Sequence, residues 1–230
     1  MTARSWKNLS EGQEEPLKLS GQANMALDSY LLASSIESRE PSYLVRLYGW
    51  SEPCLSIGAN QSLSPRALKR CRQRGVDVVQ RPTGGGAVLH GHDLTYAVVG
   101  PDEGKGVLQI YQAAAEALIC GLGELGIESS VVEHHEQARA TACFAAPTGA
   151  DLAVNRRKIC GSAQLRRGGW FLQHGSIPLE DSSELTAELT ESAEANTSAW
   201  LSLFCPGITP RRAATALLAG FEKAWGPARP

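Results

Sequence analysis

The sequence predicts an α+β fold in which a mostly antiparallel sheet is flanked by helices. Strand patterns do not alternate one by one with helical patterns, because strands follow each other directly at residues 87–99 and again at 150–179. Consecutive strands joined by short turns form antiparallel pairs, whereas a doubly wound parallel sheet needs a helix between strands. The length of 230 residues is enough to bury a substantial core.

Composition and charge argue against several function classes. Hydrophobic residues make up 43% of the chain and charged residues 20%, as in ordinary soluble globular proteins. The net charge of −2 lacks the basic footprint that a nucleic-acid backbone selects, so no nucleic-acid partner is expected. The longest apolar candidate, residues 113–127, is interrupted by Glu116 and Glu124, so no membrane association is expected.

The cysteines indicate a reducing compartment. No CxxC pair occurs, and the polar residues 1–21 do not resemble a signal peptide. We therefore expect reduced thiols in a cytoplasmic protein, with neither a disulfide framework nor a structural zinc site. The six cysteines are Cys54, Cys71, Cys120, Cys143, Cys160 and Cys205.

The first half of the chain alternates between helical and strand patterns. Apolar residues at helical spacing indicate the first helix, and alternating side chains indicate the first strand. Ser64 and Pro65 supply a cap and a first-turn proline for a second helix. The predicted elements are a helix over 24–37, a strand from residue 42 that ends at Gly49, a shorter strand from residue 54 that breaks at Gly58, a helix over 64–75, a strand over 76–81, and antiparallel strands over 87–90 and 94–99 that are joined across Gly91–Asp93.

The second half begins with a long helix that Gly126 ends. An asparagine-containing turn within residues 150–164 indicates a hairpin. The predicted elements are a helix over 106–126, the hairpin over 150–164, a strand over 168–179, exposed acidic helix and loop over 180–200, and a closing helix over 210–226.

Three successive glycines, Gly84, Gly85 and Gly86, stand between two strands. They remove side chains from one edge of a pocket, so a ligand can lie against the backbone and accept hydrogen bonds from its amides. No Lys-Ser/Thr pair follows and the next element is a strand, so this is not a Walker phosphate loop. A turn or bulge that binds nothing is the alternative.

Lys158 lies in the second strand of the predicted hairpin, shortly before the small residues Gly161 and Ser162. It is either a solvated strand lysine or a fixed cation that polarises an acyl carbonyl or binds an α-phosphate. The small residues after it would let a chain-like ligand pass.

Two long stretches together resemble the lipoate/biotin protein ligase and octanoyltransferase superfamily. They are "RPTGGGAVLHGHDLTYAVV" at 81–99 and "ADLAVNRRKICGSAQLRRGGWFLQHGSIPL" at 150–179, and the resemblance covers roughly residues 20–180. It implies a class II synthetase or biotin-ligase-like catalytic domain that occupies residues 1–230 as a single domain, with a helical C-terminal extension over about 181–230. Biotin is disfavoured, because the arginine-rich glycine loop of biotin ligases is absent.

The resemblance also implies the site residues. Lys158 matches the catalytic-type lysine of the family. The chain departs from the ligase pattern at "HGHD", which makes His90 a weaker match than Lys158. The implied substrate-binding residues are Arg81, Thr83, Gly84, Gly85, Gly86, Val88 and His90 of the acyl-tunnel motif, Gly161 and Ser162 of the second glycine motif, and His174 and Gly175 of the later His-Gly pair, in which His174 either orients the acceptor lysine or is structural.

The segment "ACFAAPT" is similar to the M-type, cysteine-dependent octanoyltransferases and implies that Cys143 is a nucleophile that forms an acyl thioester. B-type enzymes place their cysteine just before the His-Gly pair, where residues 168–173 contain none. A nearby Lys158 would lower the pKa of the thiol. A buried structural thiol is the alternative for Cys143, and Cys160 is the rival nucleophile because strand alternation puts it on the face of Lys158.

The implied function is transfer of an octanoyl (or lipoyl) group from an acyl carrier protein, through Cys143, to a lysine of a lipoyl-domain protein of the glycine-cleavage H or dehydrogenase E2 kind. This reaction would need no cofactor. One alternative is an ATP-dependent lipoate–protein ligase that uses ATP and Mg with lipoate. A third reading is a non-catalytic lipoyl- or acyl-carrier-binding protein.

Overall fold

The computed structural model describes residues 4–132, 151–192 and 198–229, and within them the predicted α+β architecture is confirmed. The strands are β1 (Trp6–Asn8), β2 (Leu17–Leu19), β3 (Tyr43–Trp50), β4 (Cys54–Ile57), β5 (Asp77–Gln80), β6 (Val88–His90), β7 (Asp93–Pro101), β8 (Ser130–Val131), β9 (Leu152–Val154), β10 (Arg157–Arg167) and β11 (Trp170–Pro178). The helices are α1 (Gly21–Ser38), α2 (Pro65–Gln73), α3 (Val107–Glu124), α4 (Ser183–Thr190), α5 (Leu201–Phe204) and α6 (Pro210–Trp225).

The larger sheet has the strand order β1-β3-β7-β11-β10-β9-β8, and β2 also pairs with β3. Its central strands β3, β7, β11 and β10 run antiparallel to one another. The short β1 and β2 lie parallel to β3 and were not predicted, because three residues are too few to show an alternating pattern.

The smaller sheet has the order β5-β4-β6, and the prediction that residues 87–90 and 94–99 pair with each other is wrong. β6 pairs with β4, whereas β7 pairs with β3 and β11. The intervening Gly91 has a φ of +138°, a conformation that favours glycine, and the chain passes there from one sheet to the other. The two sheets therefore meet at Gly91–Asp93.

Helices cover both faces of the larger sheet. α3 and α6 pack on one face over the main core, and α1 packs on the other face over a second apolar cluster that includes Met25, Trp50 and Leu172. Gly121 and Gly220 let α3 and α6 approach closely, because a Cβ at Gly220 would lie 2.3 Å from the Ala117 carbonyl oxygen.

The helix starts follow the predicted capping chemistry. Ser64 accepts a hydrogen bond from the amide of Ala67 at 3.0 Å, and Pro65 occupies the first turn of α2. The acidic segment after residue 180 is less exposed than predicted, since Leu189 of α4 is fully buried against the small sheet. Across the three described ranges, we find no helix that is long and apolar enough to cross a membrane.

Candidate active site

A narrow pocket with a cavity volume of about 30 Å³ lies between α1, the smaller sheet and the β7–β11–β10 face of the larger sheet. Met25, Tyr48 and Trp50 supply its bulky apolar wall. The predicted site residues that line it are Arg81, Val88, His90, Gly161, Ser162, His174 and Gly175. Elements that are far apart in the sequence are thus brought to one cavity.

Arg81 supports the glycine run. Its buried guanidinium donates to the carbonyl oxygens of Gly84 at 2.7 Å, Gly86 at 2.7 Å and Ser56 at 3.1 Å. Gly84, Gly85 and Gly86 are not among the residues that line the pocket, so the observed contacts are those of a loop held by Arg81. Their predicted role in substrate binding stays a prediction.

The glycine loop is also seated on the end of β4. A Cβ built on Gly58 would lie 2.2 Å from the carbonyl oxygen of Gly85, so only glycine at residue 58 permits this approach. Gly85 itself has a φ of +92°, which disfavours any side chain there.

His174 on β11 is held on both sides. Its Nε2 lies 2.7 Å from Thr83 Oγ1, and its Nδ1 lies 3.0 Å from Asp28 Oδ2. The carboxylate fixes Nδ1 as a donor, whereas the threonine hydroxyl can either donate to Nε2 or accept from it. Thr83 does not line the pocket and reaches it through this histidine.

Asp28 is the centre of a polar network that the sequence analysis missed. Its carboxylate, which is fully buried, accepts hydrogen bonds from Arg46 and Tyr48 at 2.8 Å each. Arg46 also donates to Asn24 and lies over the ring of Tyr48. Asn24 and Asp28 are one turn apart on the face of α1 that carries Met25, and this polar pair within an apolar stripe was a usable signal.

His90 is held by three neighbours. Its Nε2 lies 2.8 Å from Ser56 Oγ and its Nδ1 lies 2.8 Å from Asp93 Oδ2. The imidazole stacks on the ring of Trp50 with a centroid distance of 3.8 Å. The ring therefore forms one wall of the pocket with both nitrogens engaged.

Asp93 is a buried carboxylate with several donors around it. Burial opposes its ionisation, but the charge of His90 and the hydrogen bonds from His90, Ser176 and the amide of Gly91 outweigh that effect. The pKa of Asp93 therefore lies below its ordinary value.

Lys158 is not a solvated lysine. Its ammonium lies 2.8 Å from the carboxylate of Asp151, and both side chains are only 1% exposed. Asp151 provides the opposite charge that a buried ammonium requires, and its other oxygen accepts from the amide of Ser162 at 3.3 Å. The pair thus connects to the β10 segment that lines the pocket.

The two candidate nucleophiles differ in what the structure shows. Cys143 lies outside the described residues, so its predicted role stays a prediction. Cys160 is fully buried in the main core, and a register shift between Lys158 and Cys160 breaks the strand alternation from which a shared face was inferred. Burial favours a packing role for Cys160.

No cluster of three or more His, Cys, Asp or Glu side chains that could hold a metal ion occurs among the residues described. Burial raises the pKa of the Cys54 thiol to about 12, with further contributions from Asp77 and Asp93. This thiol is therefore poorly suited to act as a nucleophile at neutral pH.

Comparison with known proteins shows the family of the chain. The model of the lipoyl protein ligase A/B catalytic domain matches residues 20–222. The chain is 42% identical to octanoyltransferase LipM of Carboxydothermus hydrogenoformans over 167 residues, which cover 70% of this chain and 62% of that protein. It is 38% identical to octanoyltransferase LipM of Moorella thermoacetica over 205 residues, which cover 85% of this chain and 73% of that protein.

The fold agrees with a solved structure as well. Protein Ta0514 of T. acidophilum, with bound lipoic acid, superposes with a TM-score of 0.76 at 20% identity, and the match covers 100% of this chain and 88% of that one. The predicted fold is thereby confirmed. The chain belongs to the family of the lipoyl protein ligase A/B catalytic domain.

Proposed function

We propose that this chain is an acyltransferase that moves an octanoyl group from an acyl carrier protein to a lysine of a lipoyl-domain protein. Its similarity to two proteins named octanoyltransferase LipM supports this reaction. The observation that carries the proposal is the narrow pocket, whose β10 wall leads directly to the buried Lys158–Asp151 pair.

The pocket suits the hydrocarbon part of such a substrate. Met25 and Trp50 offer apolar contact on one side. Gly161 and Ala163 carry little side chain on the other, so an acyl chain can lie close to the backbone of β10.

In the first step, the thiolate of Cys143 attacks the carbonyl carbon of the carrier thioester. A carbon–sulfur bond forms to the enzyme while the bond to the carrier sulfur breaks, and the carrier leaves as its thiolate. The free energies of the two thioesters are similar, so no other energy source is needed. This role of Cys143 rests on the resemblance of "ACFAAPT" to the M-type enzymes.

In the second step, the neutral amine of the acceptor lysine attacks the enzyme thioester. An amide forms, the thiolate of Cys143 leaves, and the proton lost by the amine returns to the sulfur. Covalent catalysis of this kind divides one transfer into two easier steps.

Lys158 is assigned the role of the cation that stabilises the oxyanion in both steps. An ammonium in a dry site stabilises developing negative charge strongly, provided that it is positioned before the reaction. The contact with Asp151 at 2.8 Å and the burial of both side chains provide that positioning.

The transfer is proposed to need neither ATP nor a metal ion. In the alternative, an ATP-dependent ligase would activate lipoate as an adenylate, with Lys158 at the α-phosphate. One assay with two donors separates the proposals: octanoyl carrier protein without ATP, and lipoate with ATP and magnesium, each with a lipoyl domain as acceptor.

A mass gain on the lipoyl domain with the carrier donor supports the transferase. A gain with lipoate and ATP alone supports the ligase, and a gain in neither reaction supports a non-catalytic binding protein. A lipoyl domain whose target lysine is replaced by arginine is the control, and it should gain no mass with either donor.

A further inference from the structure

The carboxylate of Asp93 accepts hydrogen bonds from three side chains that line one wall of the pocket. Asp93 Oδ2 accepts from His90 Nδ1 at 2.8 Å, from Ser176 Oγ at 2.6 Å and from Thr95 Oγ1 at 3.1 Å. Its Oδ1 accepts from the amide of Gly91 at 3.1 Å. The three side chains come from β6, β7 and β11, and all three line the pocket.

Two further side chains of this wall, Trp50 and Ser56, are also hydrogen-bonded within the protein. The indole N–H of Trp50 donates to Thr95 Oγ1 at 2.9 Å. Ser56 Oγ lies 2.8 Å from His90 Nε2, a contact in which one group donates to the other. The indole hydrogen of Trp50 and the hydroxyl hydrogens of Thr95 and Ser176 therefore point into the wall and away from the cavity.

This arrangement changes what the cavity offers to a ligand. A hydroxyl has one hydrogen to donate, and once it is committed to a carboxylate an apolar ligand can cover it without leaving a donor unpaired. The stacked rings of Trp50 and His90, inclined by only 13°, add a flat apolar surface. Residue types that look hydrophilic in the sequence thus form a wall that a hydrocarbon can cover.

We infer that Asp93 is a positioning residue that makes this wall selective for a hydrocarbon chain, by holding the donors of His90, Thr95 and Ser176 away from it. The identity of that chain as an acyl group rests on the proposed function. Asp93 itself need not touch the chain, because it acts through the side chains that it holds.

The test measures binding of straight-chain fatty acids of increasing length by titration calorimetry. In the wild-type chain each added methylene should tighten binding by about fourfold until the pocket is full, as expected for a buried methylene. Asp93→Asn replaces an acceptor with an amide that can itself donate, so donors are released towards the cavity. In this variant the gain per methylene, which is the factor by which each added methylene tightens binding, should fall to twofold or less.

Two further variants distinguish the effect of leaving a hydrogen-bond donor unpaired from the effect of deleting a donor. Thr95→Val is close in shape but leaves the indole N–H of Trp50 without its acceptor, so the gain per methylene should fall. Ser176→Ala removes a hydroxyl and releases no donor, so the gain should stay near fourfold. Asp77→Asn, at an exposed carboxylate, makes the same change of charge and should behave as the wild type.

A merely structural role would lower the melting temperature of Asp93→Asn and leave the gain per methylene unchanged, which overturns the inference. An equal loss in Thr95→Val and Ser176→Ala also overturns it, and this comparison decides if Asp93→Asn does not fold. A wild-type chain without any gain per methylene overturns it as well. If the gains behave as expected but no acyl group reaches a lipoyl domain, the proposed function fails and the inference stands.

Discussion

The carboxylate of Asp151 lies 2.8 Å from the ammonium of Lys158, in a place where both side chains are 1% exposed. A buried ion pair is weak evidence for stability, because the loss of hydration can exceed the attraction between the charges. A lysine held in this way is better explained by a task that needs a fixed positive charge. Lys158 is therefore the first residue to test.

Lys158→Ala should lower acyl transfer by about 100-fold or more, since the loss of one oxyanion contact typically has an effect of that size. The measurement is the rate of mass gain on a lipoyl domain. Lys223→Ala is the control, because Lys223 forms a surface pair with Glu124 and is 65% exposed. Turnover near the wild-type rate in a folded Lys158→Ala variant would remove Lys158 from the reaction.

Gly58→Ala should disturb the glycine loop, because its new methyl group would lie 2.2 Å from the carbonyl oxygen of Gly85. Overpacking of this kind costs about 1–3 kcal/mol of unfolding free energy. Gly84→Ala is the matched variant, since no atom lies within 4 Å of its added Cβ, and it should unfold as the wild type does. Denaturant unfolding of both variants checks the difference, and equal stabilities would contradict the close approach.

Thr83→Val should destabilise the chain by about 1–3 kcal/mol, because it leaves the buried Nε2 of His174 without its partner at 2.7 Å. Thr83→Ser retains the hydroxyl and should recover most of the loss. Unfolding free energies of the two variants measure the contribution of this bond. If valine were tolerated as well as serine, His174 would not depend on Thr83.

The stabilising contribution of Asp93 should be greatest at neutral pH. Because the pKa of this carboxyl in the folded chain lies below its ordinary value of 3.8, the contribution is complete above that value and is lost as the pH falls through the lower folded pKa. The difference in unfolding free energy between the wild type and Asp93→Asn should therefore shrink below about pH 4. If the difference in unfolding free energy grew at low pH, the pKa of Asp93 in the folded chain would lie above its ordinary value and not below it.

The buried thiols should be protected from alkylation in the native chain. Cys54 and Cys160 are at most 1% exposed, and the pKa of Cys54 is raised to about 12, chiefly by burial. Iodoacetamide followed by peptide mass analysis should label them only after unfolding.

After incubation with octanoyl carrier protein, Cys143→Ala should lack the hydroxylamine-labile octanoyl mass that Cys160→Ala still acquires. An acyl group retained in Cys143→Ala would exclude Cys143 as the nucleophile.

The sequence predicted the elements that have a strong local pattern, and it failed where pairing is decided at long range. The cap at Ser64 and the hairpin that carries Lys158 follow from neighbouring residues. Gly91–Asp93 looked like a hairpin turn, but local sequence does not say whether two strands pair with each other or with different partners. In the fold, β6 pairs with β4, whereas β7 pairs with β3 and β11.

In the candidate site too, residues with a recognisable local motif were predicted and residues placed by long-range contacts were not. Arg81, His90, Lys158 and His174 were found because their motif resembles that of a known family. Their partners were missed. Asp28 left a local signal, as one of two polar residues in the apolar stripe of α1, whereas Asp151 acquires its role only from the register of β9 against β10. A partner of the second kind is set by tertiary contacts and leaves little trace in a single sequence.

The polar network around Asp28 limits how the pocket can be redesigned. Arg46, Tyr48 and His174 share this one carboxylate, so the effect of changing any of them depends on what occupies the other positions. Replacement of Arg46 alone would leave the buried charge of Asp28 without its cation, and replacement of Asp28 would leave Tyr48 and His174 without their acceptor. A pocket of different shape therefore requires these side chains to be exchanged as a group.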